Sequence, residues 1–253
     1  GILFDVDGTL VDTNYLHALA WSRAFVDVGE WAPMNAIHRL VGMGSEQLVE
    51  ELLGKPSEPA ADARKARYAE LMDEARVFPG ASQLLQRAHD EGLVVVLASS
   101  APRDELDRML ELLDVGDAID ATTSADDVGE AKPAPDVFEA ALRAGDVDRE
   151  LCLVVGDSIW DVQAARAAGY RLIIRDEVGS TMEEARRALD QGEPGKLWIV
   201  ARSQNAGRGR HGRQWGSPPG NLYASLLLTD PCEPALAPQL RFDAGPEIAR
   251  SPP

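Results

Sequence analysis

Three short apolar runs, each followed at once by polar residues, constrain the fold of this chain more than any other feature. The runs are residues 2–4, 93–98 and 151–155, and helical patterns separate them. Apolar strands that alternate with helices are typical of an α/β fold with a doubly wound parallel sheet, which binds ligands beyond the carboxyl ends of its strands. We therefore expect the polar residues after these runs to meet at one edge of the sheet.

Helical periodicity accounts for most of the other residues up to about 170. Between the first two apolar runs it covers four stretches without a strand candidate, which predicts an all-helical insert over residues 12–76. A core of residues 1–11 and 77–170 surrounds this insert and includes a weak strand near residues 118–122. The predicted helices are residues 13–28, 36–41, 45–53, 60–75, 81–90, 104–113, 135–144 and 159–168.

Composition argues against several classes of protein. The 253 residues are 45% hydrophobic, enough for a packed core, and contain no run of the roughly 18 apolar residues that would span a bilayer. Residues 1–170 hold 14 Lys and Arg against 32 Asp and Glu, which argues against a nucleic-acid partner. Two cysteines, Cys152 and Cys232, indicate no disulfide framework and favour a cytoplasmic location.

Polar residues at the predicted strand ends have the chemistry for phosphate-ester cleavage. Asp5 and Asp7, two residues apart after the first strand, can point the same way and attract a cation. Carboxylate oxygens suit Mg²⁺, and Asp157, after another strand, adds a ligand. Lys132 and the Ser99 hydroxyl can bind phosphate oxygens. One carboxylate can then attack phosphorus while the other transfers protons.

These residues resemble, in order, the four motifs of the haloacid dehalogenase superfamily. The motifs are Asp5-Val6-Asp7-Gly8-Thr9, Ser99 after an apolar strand, Lys132 before Pro133, and Gly156-Asp157-Ser158 with Asp161. The resemblance covers residues 1 to about 170. It implies that Asp5 is the nucleophile and Asp7 the general acid and base.

The same resemblance assigns the remaining roles. Mg²⁺ would be bound by the Asp5 side chain, the Asp7 backbone carbonyl and Asp157, with Asp161 supporting the metal shell. The phosphate would be bound by Ser99, Ser100 and Lys132. The insert would be a helical cap that closes over the site and excludes water.

Plainer structural interpretations remain open. Asp7-Gly8 is a common turn, and Lys132-Pro133 is an ordinary loop sequence. The Ser and Asp residues at 99, 100, 157 and 158 are typical helix N-caps. We interpret His17 and His38, in the insert, as structural or hinge residues.

Within the superfamily the sequence resembles the phosphoglycolate phosphatase and phosphomutase branch. Phosphomutases tend to have Glu where this chain has Gly156, and a cap arginine near Ser45. Both differences favour hydrolysis of a small phosphorylated metabolite over phosphomutase activity. Asp7 makes dehalogenation less favoured than either of these reactions.

From about residue 171 the character of the chain changes. Eleven Lys and Arg now stand against ten Asp and Glu. Predicted strands at residues 172–174, 197–201 and 221–228 accompany a helix at 183–189, with Ser180 as its N-cap candidate. A loop dense in glycine and arginine over residues 204–215 suits an adenylate or another anion, and RNA binding or a disordered loop are the alternatives.

Residues 171–242 resemble the start of the catalytic domain of biotin–protein ligases. The resemblance rests on Ser180-Thr181, the glycine-rich loop, Trp215, and Ser217-Pro218 with Asn221-Leu222-Tyr223. It implies contacts with biotin or its adenylate from Ser180, Thr181, Gln204, Gly207, Arg208, Gly209, Arg210 and Gly212. The match covers less than half of that domain and lacks its later catalytic lysine segment, so we expect no ligase activity, and residues 243–253 are predicted to be an irregular tail.

The junction between the two pieces predicts an unusual arrangement. The hydrolase family continues for several elements beyond the helix that ends near Gly169, whereas ligase-like sequence begins here at once. Residues 172–174 could be the next strand of one piece or the first strand of the other. We interpret the chain as a fused, truncated or mis-assembled reading frame that starts, at Gly1, within a strand.

Overall fold

The computed structural model describes residues 1–207, 215–217 and 223–229. The chain divides into two compact units, Gly1–Tyr170 and Arg171–Pro253. Four of the predicted biotin or adenylate contacts and the predicted tail, residues 243–253, lie outside the described residues. Those four contacts are Arg208, Gly209, Arg210 and Gly212.

A parallel sheet of four strands forms the centre of the first unit and confirms the predicted fold class. Its order is β5 (Ala121–Thr123), β4 (Val95–Ala98), β1 (Ile2–Phe4) and β6 (Leu153–Val155). Successive residues of β1 point to opposite faces. Phe4 therefore packs with α5 (Ala81–Asp90) and α6 (Arg103–Leu113), and Leu3 packs with α7 (Asp136–Ala144) and α8 (Ile159–Ala167).

A helical cap is inserted between β1 and α5. Its helices are α1 (Asn14–Asp27), α2 (Met34–Leu40), α3 (Ser45–Leu53) and α4 (Glu58–Leu71). They bury a core of their own that includes Trp21, Phe25, Ile37 and Leu48.

The expectation of an insert without strands is wrong at both of its ends. There, β2 (Val11–Asp12) pairs antiparallel with β3 (Arg76–Val77), so that Asp12 lies opposite Arg76. Strands of two residues are too short to show the alternating pattern by which strands are recognised.

The expectation that residues 151–155 form a buried strand is also wrong. Leu153 is 43% exposed and Val155 38% exposed, because β6 is the last strand of its sheet. Among the described residues no strand pairs with its outer edge. The next strand along the chain, β7 (Leu172–Val178), pairs with β8 (Leu197–Gln204) instead.

The second unit contains a mixed sheet in the order β7-β8-β9, with β9 at Tyr223–Leu227 antiparallel to β8. The helix α9 (Thr181–Asp190) packs on it through Ala185. Both β7 and β8 extend beyond their predicted ends. Ser180 occupies the N-cap position of α9, but its side chain makes no capping hydrogen bond. No helix in the described part of the chain has the length and apolar character needed to cross a membrane.

Candidate active site

Carboxylates from two strand ends and one helix start meet at the edge of the parallel sheet. Asp5 directly follows β1, and its backbone N–H donates to Val155 O of β6 at 2.8 Å. Asp157 lies two residues beyond β6, and Asp161 lies in the first turn of α8. One carboxylate oxygen from each of the three aspartates lies within 4.8 Å of the other two. The cluster thus includes Asp161, which the sequence assigned to a supporting role.

Lys132 lies within this cluster and is buried. Its ammonium group forms ion pairs with Asp5 and, at 2.6 Å, with Asp161 Oδ1. Burial alone would lower the pKa of Lys132, but the two carboxylates outweigh that effect and raise it. The two carboxylates therefore favour the charged form of Lys132.

The environment of Asp5 favours a bound cation. Burial raises the pKa of Asp5 well above its usual value, Lys132 opposes this shift, and the carboxylates of Asp161 and Asp7 add to it. A divalent cation beside these oxygens would stabilise the ionised form, and carboxylate oxygens are the ligands that Mg²⁺ prefers. The residues of the cluster therefore fit a magnesium ion.

Local helix capping fixes the orientation of Asp161. Ser158 is the N-cap of α8, and its hydroxyl accepts a hydrogen bond from the Asp161 N–H at 3.2 Å. Asp161 Oδ2 in turn accepts from the Ser158 N–H at 3.0 Å, which completes a capping box. A Cβ atom on Gly156 would lie 2.5 Å from Asp161 Cγ, so a larger residue there would displace this carboxylate. The N-cap interpretation of Ser158 is thus correct, and the cap orients a residue of the site.

The Asp7 carboxylate is hydrogen-bonded to residues at the start of α1. Asp7 Oδ1 accepts from the Thr13 hydroxyl at 2.8 Å and lies 2.9 Å from His17 Nε2. Burial alone would raise the pKa of Asp7, but these two hydrogen bonds and the positive charge of Arg64 lower it overall. Asp7 is therefore held as a carboxylate by residues of the cap.

A buried chain of polar side chains continues from Asp7 to the core. Arg64 of α4 donates to His17 Nδ1 at 2.8 Å and forms an ion pair with Glu105 of α6, also at 2.8 Å. The His17 ring stacks on Tyr68, with 4.1 Å between ring centroids. The structural interpretation of His17 is thus correct but incomplete, since His17 contacts a predicted catalytic residue. Sequence reasoning missed Arg64 and Glu105, which no recognised motif includes.

The two serines after β4 differ in their surroundings. The Ser99 side chain is fully buried, and its hydroxyl accepts a hydrogen bond from the Ala101 N–H at 3.0 Å. Ser100 lines the cavity beside Asp5, and its buried hydroxyl has no hydrogen-bond partner among the described residues. Neither serine caps α6, whose N-cap is Pro102.

The cap covers this group of residues. The Gly44 N–H, in the loop before α3, donates to Lys132 O at 3.2 Å, and a Cβ atom on Gly44 would lie 2.8 Å from the Ala131 Cβ. Beneath the cap lies a cavity of about 280 Å³, just below the usual range for ligand sites. Its polar floor comes from the core, and its cap side includes Trp21, Val41, Met43 and Leu48.

In the second unit, several predicted ligand contacts bond to each other. Gln204 Oε1 accepts from the Thr181 N–H at 2.8 Å, and Gln204 Nε2 donates to the Ser217 hydroxyl at 3.2 Å. Ser180 and Thr181 are buried. Gly207 O accepts from the Trp215 N–H at 2.9 Å. Thr181, Gln204 and Ser217 therefore form one connected polar group.

Comparison with protein-family models divides the chain at the same place. Residues 1–169 match the model described as haloacid dehalogenase-like hydrolase. Residues 176–240 match that of the biotin/lipoate A/B protein ligase family. The predicted joining of a hydrolase to a ligase-like segment is confirmed.

Individual relatives resemble the first unit. Protein CbbY of Rhodobacter capsulatus is 32% identical over 190 residues, which cover 68% of this chain and 83% of that protein. Hexitol phosphatase B of Escherichia coli (strain K12) is 30% identical over 185 residues, or 68% of this chain and 81% of that protein.

A solved structure agrees with these relatives. The crystal structure of a hydrolase from Pseudomonas syringae superposes with a TM-score of 0.64 at 30% identity, over 69% of this chain and 83% of that one. These findings confirm the predicted class of enzyme, a phosphoric monoester hydrolase. The chain belongs to the haloacid dehalogenase-like hydrolase family.

Proposed function

We propose that the first unit hydrolyses a small phosphate monoester through an aspartyl-phosphate on Asp5, with Mg²⁺ as cofactor. The observation that carries the proposal is the cluster of Asp5, Asp157, Asp161 and Lys132 beneath the cap, of which all but the exposed Asp157 are buried. The curated relatives include a hexitol phosphatase, which is consistent with a phosphorylated metabolite as substrate.

Each residue of the cluster has a task in this mechanism. Asp5, Asp157 and the backbone carbonyl of Asp7 would bind Mg²⁺, with Asp161 supporting the shell. The ion supplies charge neutralisation for the phosphoryl oxygens and the attacking carboxylate. Lys132 places a positive charge beside the same oxygens. Ser100 can donate to one of them, since its hydroxyl has no partner in the part of the chain that the structure describes.

The reaction would proceed in two displacements at phosphorus. Asp7, a carboxylate in this structure, first takes up a proton. In the first displacement, an Asp5 oxygen forms the new bond to phosphorus, the ester bond breaks, and Asp7 gives this proton to the leaving oxygen. This leaves Asp7 as the carboxylate that Thr13 and His17 stabilise. In the second displacement, Asp7 takes a proton from water as the water oxygen bonds to phosphorus. The bond between phosphorus and the Asp5 oxygen breaks, which releases phosphate and restores the free Asp5 carboxylate.

Phosphate release from a panel of phosphorylated metabolites tests this proposal. With Mg²⁺ we expect turnover by the full chain, and at least about a thousandfold loss in Asp5→Asn, because the nucleophile is removed. The control is Asp107→Asn, which changes an exposed carboxylate on α6 in the same chemical way. Full activity of Asp5→Asn would refute the assignment of Asp5 as the nucleophile. Transfer of phosphate to a second hydroxyl of the substrate, without release, would indicate a phosphomutase.

For the second unit we infer binding of biotin or its adenylate, without ligase turnover. The bonded group of Thr181, Gln204 and Ser217 favours this, because the buried hydroxyls and the partly buried amide can exchange their mutual bonds for bonds to a polar ligand. Calorimetric titration of the full chain with biotin should give heat that Thr181→Val abolishes and Ser203→Ala preserves. The absence of heat in the unmodified chain would refute the inference. Biotin-dependent exchange of ATP and pyrophosphate should be absent.

A further inference from the structure

We infer that Glu105, by neutralising Arg64, restricts the enzyme to phosphate esters whose leaving group carries no charge. The inference rests on the proposed phosphatase function and names its substrate class. Glu105 does not line the cavity. It is a positioning residue that acts through Arg64, which does line it.

The first step of the argument is the distribution of charge around the cavity. Its lining includes four aspartates, at positions 5, 7, 157 and 161, and two permanently positive side chains, Lys132 and Arg64. Lys132 is paired with Asp5 and Asp161, where the phosphoryl group must bind if Asp5 is to attack it. Arg64 is therefore the lining cation through which a second anionic group of the substrate could be recognised.

The second step is that Arg64 is already paired. Its Nη1 lies 2.8 Å from Glu105 Oε1, and its Nη2 lies 3.3 Å from Glu105 Oε2. Both side chains are buried, at 11% and 7% exposure, so water screens this pair little. The remaining contact of Nη2 is to His17 Nδ1 at 2.8 Å. Because a guanidinium group only donates, this nitrogen of His17 is the acceptor in the contact, and Nε2 of the same ring lies towards Asp7.

The third step is that, among the residues that the structure describes, the cap side of the cavity provides no lysine or arginine other than Arg64. Trp21, Met43 and Leu48 are apolar, and Ser45, at its edge, is uncharged. Ser45 begins α3, but the first turn of that helix contains Glu46, which counteracts the positive end of the helix dipole. A carboxylate or second phosphate on the leaving group would thus enter a site whose cations are already paired. An alcohol could bond to Ser45 or Asn14, which also lines the cavity.

Pairs of substrates that differ in one charge test this inference in the full chain with Mg²⁺. Ethylene glycol monophosphate is matched with phosphoglycolate, and glycerol 3-phosphate with 3-phosphoglycerate, so that a carboxylate replaces a hydroxymethyl group at nearly constant size. We expect kcat/KM to be at least about tenfold higher for the alcohol of at least one pair, since an uncompensated like charge in a closed site is costly. Equal values within both pairs, or higher values for the carboxylates, would overturn the inference. If neither member of either pair, nor any compound of the wider panel, releases phosphate, it is the proposed function that fails.

Variants of Glu105 then test its role. Glu105→Gln keeps the shape of the side chain and frees the charge of Arg64, so the preference for the alcohol should fall by about tenfold or more. Glu105→Asp, which keeps the charge, should retain the preference of the unmodified chain. If Glu105 had a merely structural role, kcat/KM for the alcohol and for the carboxylate substrate would fall in parallel and their ratio would not change. An unchanged ratio in Glu105→Gln would therefore overturn the assignment.

A second variant covers the case in which Glu105→Gln does not fold. Ser45→Arg introduces an unpaired cation at the exposed edge of the cavity, and Ser45→Gln is its uncharged control. The arginine should raise kcat/KM for the carboxylate substrates about tenfold relative to the glutamine. The same ratio in both Ser45 variants would show that charge on the leaving group does not control selectivity, and would overturn the inference.

Discussion

Replacing Lys132 by methionine would leave the carboxylates of Asp5 and Asp161 buried without the ammonium group that lies between them. At the 2.6 Å that separates Lys132 Nζ from Asp161 Oδ1, the Coulomb attraction is about 6 kcal/mol for an effective dielectric constant near 20. The desolvation of the lysine offsets part of this. Removing one partner of a buried ion pair typically costs about 3–5 kcal/mol, because an uncompensated charge remains. We expect a loss of that size in the first unit without Mg²⁺.

Hydrogen exchange measured by mass spectrometry suits this prediction, because peptides that cover β1 and β4 report on the first unit separately from the second. A loss of about 3–5 kcal/mol corresponds to exchange of these amides that is roughly 150- to 5,000-fold faster. The matched control is Lys65→Met. Lys65 is 60% exposed and lies 3.5 Å from an Asp104 carboxylate that is also exposed, so its loss should change the exchange rates by at most about fivefold.

A double variant identifies the cause of the effect. In Lys132→Met with Asp161→Asn, one of the two unpaired carboxylates is removed, and exchange in β1 should slow by at least about tenfold relative to Lys132→Met alone. If Lys132→Met exchanges within tenfold of the unmodified chain in the presence of EDTA, the ion pairs do not stabilise the unit and this reasoning is wrong.

Three further predictions concern the metal, the cap and the second unit. Mg²⁺ at about 100 times its dissociation constant should slow exchange in β1 about a hundredfold, and Asp157→Asn should reduce that protection. Gly44→Val should lower kcat/KM at least about tenfold, because its Cβ would lie 2.8 Å from the Ala131 Cβ when the cap closes, whereas Glu51→Ala on the exposed side of α3 should not. Gln204→Leu removes the acceptor of the Thr181 N–H, so it should destabilise α9 and β8 by about 1–3 kcal/mol in hydrogen exchange, with Ser203→Ala as control.

The order of helices and strands in the first unit could be predicted from the sequence because each element has a strong local signal. The predicted helices at residues 45–53 and 81–90 match α3 and α5 to the residue. The exposure of β6 could not be predicted in this way. An apolar run of five residues is compatible with any strand of a sheet, and whether both of its edges are paired depends on where a distant segment lies.

The candidate site could be predicted only where its residues follow strand ends. Asp5 and Asp157 are placed by β1 and β6, which are neighbours in the sheet, so the rule that ligands bind beyond the carboxyl ends of parallel strands was sufficient. Lys132 follows no strand, and its location came from a family motif alone. The difference between Ser99 and Ser100 is finer still, because adjacent residues after a strand turn to opposite sides and local sequence does not reveal which side faces the cavity.

The partners of Asp7 show which further signal the sequence contained. Thr13 and His17 are four residues apart at the start of α1, and Arg64 and Tyr68 are four residues apart on α4, so each pair lies on one face of its helix. A polar pair at this spacing on an otherwise apolar face needs partners when the helices pack, and here both residues of the α4 pair contact His17: Arg64 bonds to it, and Tyr68 stacks on it. Two helices that each have a polar pair on an otherwise apolar face are therefore predicted to contact each other there. That contact also orients His17 towards Asp7, so the packing of α1 against α4 within the cap sets the environment of the residue that we propose for proton transfer.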